Sequence, residues 1–234
     1  MKAILFLFTI ITTLYIPITH AQTSITLAVE NSWPPYADQN GNGISKQILQ
    51  KALAHQGVQV SFVTVPYARA LHLAEIGKVD GAFNVTKQAS TLKKFTFGQE
   101  PILIASASYY YSQNTRFDYK SVADIPSGTS IAVILGYEYG DKYEQQRHRF
   151  DEVKVSSQEQ IIKLLRSNRV DMAIMFDEVA SYYLKQMQLS EQAISKGHIN
   201  HTSDIYVAFN KEKALEDVIK KLDSGLKATR SLNK

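Results

Sequence analysis

The segment Val65–Pro101 constrains the fold of this chain more than any other. It opens as the end of a strand, and a helix follows whose apolar stripe consists of Ala70, Leu71, Leu73 and Ala74. The next run, VDGAFNV, predicts a second strand. A strand–helix–strand crossover of this kind belongs to a parallel sheet, and ligands of such sheets bind beyond the carboxyl ends of the strands. The polar segment after Val85 is therefore predicted to face a ligand.

A second crossover precedes this segment. Ser24–Val29 predicts the first strand, and a helix follows with Ile44, Ile48, Leu49 and Leu53 on one face. Gly57 ends that helix, and Val58–Val65 alternates apolar and polar residues as a strand does. An α/β chain built on parallel strands is the expected fold class.

The loop after the first strand carries Pro34 and Pro35, which exclude both a helix and a central strand. The loop is therefore stiff, and it presents Trp33 and Tyr36 either to the predicted cleft or to the edge of the sheet. Glu30 begins this loop at the strand end. Its carboxylate can pair with a cationic group of a ligand, or with a nearby lysine or backbone donors.

Composition excludes several classes of function. The net charge of +4 is scattered along the chain, so nucleic acid is not an expected partner. The chain has no cysteine, which excludes disulfides, thiolate zinc sites, a thiol nucleophile and a lipoprotein anchor. The sequence has no Ser/His/Asp order and no glycine-rich phosphate loop, and His198 and His201 alone are a weak metal signal. No catalytic residue, metal or cofactor is expected.

The N-terminus predicts export. Met1 and Lys2 precede an apolar run from Ala3 to Ile18, and 19–21 end in the small residues that signal peptidase accepts. The apolar run is shorter than the ~20 residues of a spanning helix. We expect a signal peptide over 1–21 and a soluble periplasmic protein that begins at Gln22.

Four sequence pieces occur in an order that suggests a family. They are WPPYADQNG after the first strand, GKVDGAF and FTFGQEP in the central segment, and RVDMAIMFDEVASYYL late in the chain. Together they resemble the family 3 periplasmic solute-binding proteins, the amino-acid-type receptors of ABC importers. The resemblance implies a type II periplasmic-binding-protein fold, with two α/β lobes that close on a ligand and two hinge strands between them. It also implies a monomer with a membrane permease as partner.

The resemblance also suggests where the lobes begin and end. The first lobe is expected to be discontinuous, with residues 22–108 and 206–234, and the second to span 109–205. Ile102–Gln113 and Asp204–Asn210 are the expected hinge strands. In the second lobe we expect a strand over Ile131–Leu135, a turn at Gly136 and a helix from Tyr137 onward.

The resemblance assigns ligand-binding roles to residues of both lobes. Tyr36 is expected to pack on the ligand, Tyr67 and Arg69 to line the cleft, and Thr86 to offer a hydroxyl. Backbone donors at Gly136 and Tyr137 are expected to hold a carboxylate, as helix N-termini do. Asp177 is expected to accept hydrogen bonds from an α-amino group, to cap the following helix, or both.

The chain departs from the family at one position. Members that bind amino acids carry an arginine that holds the ligand α-carboxylate with two parallel hydrogen bonds, and Thr91 occupies that position here. We therefore expect a small polar solute held chiefly through an amine, such as an amino acid derivative. Two alternatives stay open. One is a sensor that reports ligand to a membrane receptor, and the other is an enzyme similar to cyclohexadienyl dehydratases, with Glu30 and Asp177 as an acid–base pair.

Overall fold

The computed structural model describes residues 23–113, 115 and 117–231. The predicted signal peptide, 1–21, lies outside the described residues. The strands are β1 Ser24–Val29, β2 Gln59–Thr64, β3 Gly81–Thr86, β4 Phe95–Phe97, β5 Leu103–Ser112, β6 Ser130–Ile134, β7 Asp151–Val155, β8 Met172–Phe176 and β9 Ile194–Asn210.

The α-helices are α1 Ile44–Ala54, α2 Tyr67–Glu75, α3 Ala89–Leu92, α4 Asp141–Gln146, α5 Gln158–Arg166, α6 Asp177–Gln186 and α7 Glu216–Ser231. Single turns of 3₁₀ helix occur at Val122–Asp124, Arg147–Arg149 and Glu191–Ala193. Among the described helices, none combines the length and the apolar character needed to cross a membrane.

The strands form two similar α/β lobes. The order across the sheet is β2-β1-β3-β9-β5-β8-β6-β7, and β4 pairs with β9. In the first lobe β1 is parallel to β2 and β3, and in the second lobe β6 is parallel to β7 and β8. Each lobe is thus built on a strand–helix–strand–helix–strand unit, which confirms the predicted fold class.

Strands β5 and β9 connect the lobes. They run antiparallel to each other, and their register shifts between Ala107 and Ser108 and again between Ser108 and Tyr110. The predicted hinge strand Ile102–Gln113 corresponds closely to β5. The predicted return strand Asp204–Asn210 is only the last part of β9, which begins ten residues earlier, at Ile194. The lobe boundaries at 108/109 and 205/206 fall inside these two strands and remain predictions.

The terminal helix packs on the first lobe through an apolar stripe. Val218, Leu222 and Leu226 of α7 are buried in a cluster that includes Leu49 and Leu53 of α1. Gly225 lies against the backbone of Ala52, where an added Cβ would stand 2.2 Å from the carbonyl oxygen. Glycine at this position therefore permits the close contact between the two helices.

The prediction that a helix begins at Tyr137 is wrong. After β6 the chain continues as a loop, and α4 begins only at Asp141. Gly136 and Gly140 both have a φ of 86°, which a right-handed helix cannot include. A stretch of loop with Tyr137, Glu138 and Tyr139 therefore replaces the first turn of the expected helix.

Candidate ligand-binding cleft

A cavity lies between the lobes, where the carboxyl ends of parallel strands from both lobes meet. Its volume is ≈ 10 Å³, and the lining residues are Glu30, Trp33, Tyr67, Asn84, Thr86, Tyr137, Glu138 and Phe176. Four of the predicted ligand residues are among them: Glu30, Tyr67, Thr86 and Tyr137. The volume is about the minimum that one water molecule needs, so the structure represents a closed cleft.

Two tyrosine–glutamate pairs cross the cleft in opposite directions. The Tyr137 hydroxyl of the second lobe donates a short hydrogen bond to Glu30 Oε2 of the first lobe. The Tyr67 hydroxyl of the first lobe donates to Glu138 Oε2 of the second, at 2.7 Å. The two phenol rings meet edge to face with centroids 4.8 Å apart. Each lobe therefore contributes one carboxyl group and one hydroxyl group to the closed interface.

The cleft raises the pKa of both carboxyl groups. Burial raises the pKa of Glu30 from 4.5 to about 8; the hydrogen bond from Tyr137 opposes this shift, and the negative charge of Glu138 adds to it. Burial also raises the pKa of Glu138 to about 7, although the hydrogen bond from Tyr67 lowers it. In the closed, empty cleft both carboxyl groups therefore keep their protons to a higher pH than an exposed glutamate does.

Asn84 is an unpaired polar residue in the same cavity. Its side chain is 5% exposed, and among the described residues neither Oδ1 nor Nδ2 has a hydrogen-bond partner. Asn84 has a φ of 66° and is the extra residue of a bulge, because Phe83 and Val85 pair with the consecutive residues Val207 and Tyr206 of β9. Leaving a buried amide unpaired costs about 1–3 kcal/mol, so a ligand that bonds to it recovers that free energy.

Aromatic rings form another wall of the cleft. Trp33 is 1% exposed, its ring centroid lies 4.3 Å from that of Tyr36, and it meets Phe176 of the second lobe edge to face at 5.0 Å. Trp33 therefore faces the cleft, whereas the sequence favoured Tyr36 for that role. Tyr36 is buried behind it and does not line the cavity.

Thr91 is a structural residue in this conformation. It is 2% exposed, and its hydroxyl donates to Thr86 O at 2.7 Å and accepts from Gln88 N at 3.1 Å. Thr91 thus fixes the loop that positions Thr86, whose own hydroxyl lies 3.5 Å from Glu138 Oε2. An arginine at this buried position would have to displace that loop.

Arg69 and Asp177 lie away from the cavity. Arg69 is exposed on α2. Asp177 is the first residue of α6, with Phe176 at the N-cap position, and its carboxylate pairs with Lys196 Nζ at 2.9 Å and accepts from the Tyr110 hydroxyl at 3.0 Å. Ligand contacts through Arg69 or Asp177 remain predictions, and for Asp177 they require these two partners to be replaced.

The loop at Gly136 and Tyr137 uses its own backbone donors. Tyr137 N donates to Ile134 O at 3.2 Å, and Tyr139 N donates to Glu144 Oε1 at 3.0 Å. The backbone of Glu138 donates a hydrogen bond to the carboxylate of the same residue, which lowers the pKa of that carboxylate. The predicted anion site at a helix start therefore has no helix, and of the two backbone donors expected to serve it, that of Tyr137 is already engaged.

The two histidines considered as metal ligands have separate partners. His198 Nε2 lies 2.7 Å from Asp118 Oδ1. His201 packs edge to face on Phe176, and burial lowers its pKa to about 4. No group of three potential metal ligands occurs in the described part of the chain.

Sequence reasoning missed Phe176 and two polar residues of the cavity. Glu138 lay inside the wrongly predicted helix, where a glutamate is an ordinary surface residue. Asn84 lay inside a predicted strand, and a bulge leaves little trace in a single sequence. An asparagine in the middle of an apolar strand was the available signal, because asparagine is depleted in strands and tolerates a positive φ.

Comparison with solved structures identifies the fold class. An ancestral arginine-binding protein bound to arginine superposes with a TM-score of 0.73 at 21% identity, over 91% of this chain and 94% of that one. A histidine kinase sensor domain with similarity to periplasmic binding proteins gives 0.74 at 15% identity, over 91% and 92%. An ancestral amino-acid-binding protein described as a precursor of cyclohexadienyl dehydratase gives 0.70 at 18% identity, over 89% and 90%.

The chain therefore has the two-lobed fold of periplasmic binding proteins, and the structures that it resembles include proteins that bind amino acids. No protein-family model and no curated protein sequence matches it. Identities this low show the fold, and the solute has to be inferred from the cleft.

Proposed function

We propose that this protein is an exported solute-binding protein of the family 3 type. It closes two lobes on a small, polar, amine-bearing solute and delivers the solute, as a monomer, to the permease of an ABC importer. The arginine- and glutamine-bound structures of similar fold support an amino-acid-like solute or derivative. The family assignment, the transport partner and the periplasmic location belong to this proposal.

The observation that supports it best is the composition of the interlobe cavity. Glu30 from one lobe and Glu138 from the other reach the same small space, where Asn84 has no partner among the described residues. A buried carboxylate is stabilised by a cationic partner, and an unpaired amide by any hydrogen-bonding group. A solute that carries an amine satisfies both kinds of group at once.

Binding requires the lobes to separate. The cavity of ≈ 10 Å³ admits no solute larger than water in the closed form. Closure is held by the two tyrosine–glutamate pairs and by rim contacts such as Ser32 Oγ to the Tyr183 hydroxyl at 3.3 Å and Ala89 N to Asp141 Oδ1 at 3.3 Å. A solute that pairs with Glu30 replaces the Tyr137 hydroxyl on Oε2 or bonds to the other carboxylate oxygen.

The direct test is to identify what the protein carries. Protein purified from the periplasm of an expressing cell is denatured, and the released small molecules are identified by mass spectrometry. We expect an amine-bearing compound in a stoichiometric amount. Recovery of no small molecule, together with no thermal stabilisation by a library of amines and amino acids, would contradict the proposed function.

Processing of the N-terminus is predicted to leave Gln22 as the first residue. Residues 19–21 are the small-residue site that follows the apolar run. Intact mass of the protein released by osmotic shock measures the cleavage point. A mature chain that retains the apolar run, or fractionates with membranes, would refute periplasmic export.

Trp33 is predicted to report closure by its fluorescence. It is the only tryptophan of the chain, and closure leaves it 1% exposed between the lobes. We expect a solute that closes an open population to shift the emission to shorter wavelength and to protect the indole from acrylamide quenching. Small-angle scattering on the same samples should show compaction. If a solute that binds by calorimetry changes neither signal, the proposed closure is wrong.

A further inference from the structure

The geometry points to a more specific solute class, and this inference rests on the proposed function. We infer that the solute is a small dication without a carboxylate, such as a diamine or an amino-guanidine. One cationic end pairs with Glu30 in the first lobe and the other with Glu138 in the second.

The first argument is charge balance. The cavity is lined by two carboxyl groups and, among its described lining residues, by no basic side chain. Three basic side chains outside the cavity are engaged with other groups: Arg147 with Glu144 and Glu152, Lys196 with Asp177, and Lys87 with Gly98 O at 3.2 Å. Buried carboxylates need cationic partners, and two of them from opposite lobes are matched by a solute with two positive charges.

The second argument is that a ligand carboxylate finds no charged partner among the described residues that line this cleft, where the unpaired donors Asn84 Nδ2 and Trp33 Nε1 are neutral. The backbone donors of Tyr137 and Tyr139 bond to Ile134 O and to Glu144. The arginine expected in amino-acid receptors is replaced by Thr91, whose hydroxyl is committed to its own loop. A carboxylate in this loop region would instead meet the carboxyl group of Glu138, and like charges at short distance repel each other.

The third argument comes from groups that are not acidic. Asn84 lines the cavity with an amide that is 95% buried, given its 5% exposure, and its Oδ1 lacks a partner among the described residues. That oxygen can accept a hydrogen bond from an ammonium or guanidinium group. The rings of Trp33, Tyr67 and Phe176 provide apolar faces for methylene groups and for cation–π contacts. A short alkyl chain with a cation at each end suits these walls.

Matched pairs of probes test the inference. Putrescine, cadaverine and agmatine differ from ornithine, lysine and arginine only by the carboxylate. The affinities are measured by isothermal titration calorimetry on the ligand-stripped mature protein. Within at least one pair, the member without the carboxylate should bind at least about 10-fold more tightly, since a hydrogen bond to a charged group contributes ~1.5–3 kcal/mol.

Substitutions assign the effect to the cleft. Glu138→Gln should weaken binding of the preferred diamine by about 10-fold or more and narrow the difference within the pair. Glu212→Gln makes the same chemical change at an exposed turn after β9. It should change neither the affinity for the diamine nor the difference in affinity within the pair. Wild-type and variant melting curves verify that both proteins fold.

The outcomes separate this inference from the proposed function. If in every pair that binds the amino acid binds as tightly as its decarboxylated partner or more tightly, the solute class is wrong and solute binding stands. If none of the six probes binds, the inference is also overturned, whereas the proposed function is then decided by the mass spectrometry of the released solute. Unchanged diamine affinity in a folded Glu138→Gln variant would overturn the role of Glu138.

Discussion

Replacing Glu30 by glutamine is expected to weaken a steep pH dependence in the stability of the ligand-free protein, and the raised pKa of Glu138 accounts for part of what is left. Burial raises the pKa of Glu30 to about 8 in the folded state, against 4.5 for the unperturbed group. Between these values the folded protein binds more protons than the unfolded chain, so the free energy of unfolding falls as pH rises. The slope reaches roughly 1.4 kcal/mol per pH unit for one proton.

The glutamine side chain does not ionise in this pH range, and its carbonyl oxygen can still accept the hydrogen bond from Tyr137. Chemical denaturation at several values between about pH 5 and about pH 8 measures the effect. The Glu30→Gln variant should resemble wild type at the acidic end and exceed it at the alkaline end.

Glu100→Gln is a control, because the pKa of Glu100 is shifted in the opposite direction to that of Glu30. Although burial opposes the shift, hydrogen bonds from Lys227 and Arg230 lower the pKa of Glu100, so its contribution to stability is lost as pH falls. Glu100→Gln should therefore reduce stability by a similar amount from about pH 5 to about pH 8, because its loss disappears only below the unperturbed pKa of 4.5. A wild-type free energy of unfolding that does not fall toward pH 8, with Glu30→Gln parallel to it, would show that Glu30 is not buried in solution.

Replacing Asn84 by aspartate is expected to destabilise the protein by a few kcal/mol at about pH 8. The substitution keeps the shape of the side chain and tolerates the φ of 66°. It adds a third carboxyl group to a cavity that already holds Glu30 and Glu138. An unpaired buried ion costs several kcal/mol, and the loss should vanish below about pH 4, where the unfolded chain is also protonated.

Asn168→Asp is the matched control. Asn168 has a φ of 52° but lies in an exposed turn after α5, so the same chemical change there should alter stability by less than about 0.5 kcal/mol. Thermal and chemical denaturation of both variants over the pH range measure the difference. Equal, small effects at the two positions would mean that the Asn84 side chain is in contact with water.

Much of the fold is predictable from the sequence because burial repeats with the period of each element. The first strand, Ser24–Val29, is assigned to the residue. The stripe of α7 predicts its packing on the first lobe. The error at Tyr137 has a definite cause: two glycines with a positive φ delay the helix, and a glycine in a sequence does not reveal its φ.

The site is less predictable than the fold because its chemistry depends on pairs that are distant in the chain. Glu30 and Tyr137 are separated by 107 positions, and Tyr67 and Glu138 by 71. A resemblance to a family predicts the role of a residue. It does not predict which neighbouring group already accepts the hydrogen bonds that the residue can donate. Tyr137 was expected to offer its backbone to a solute, and instead its side chain bonds across the cleft.

The bulge at Asn84 has a consequence for how solute preference can diverge among relatives. Phe83 and Val85 already pair with consecutive residues of β9, so Asn84 takes no place in the ladder. Deleting this one residue would leave the pairing of β3 continuous and remove a side chain from the cavity. Deletions and insertions are usually tolerated only in surface loops. At this bulge, a one-residue deletion can change which side chains line the cleft while β3 keeps its pairing with the neighbouring strands.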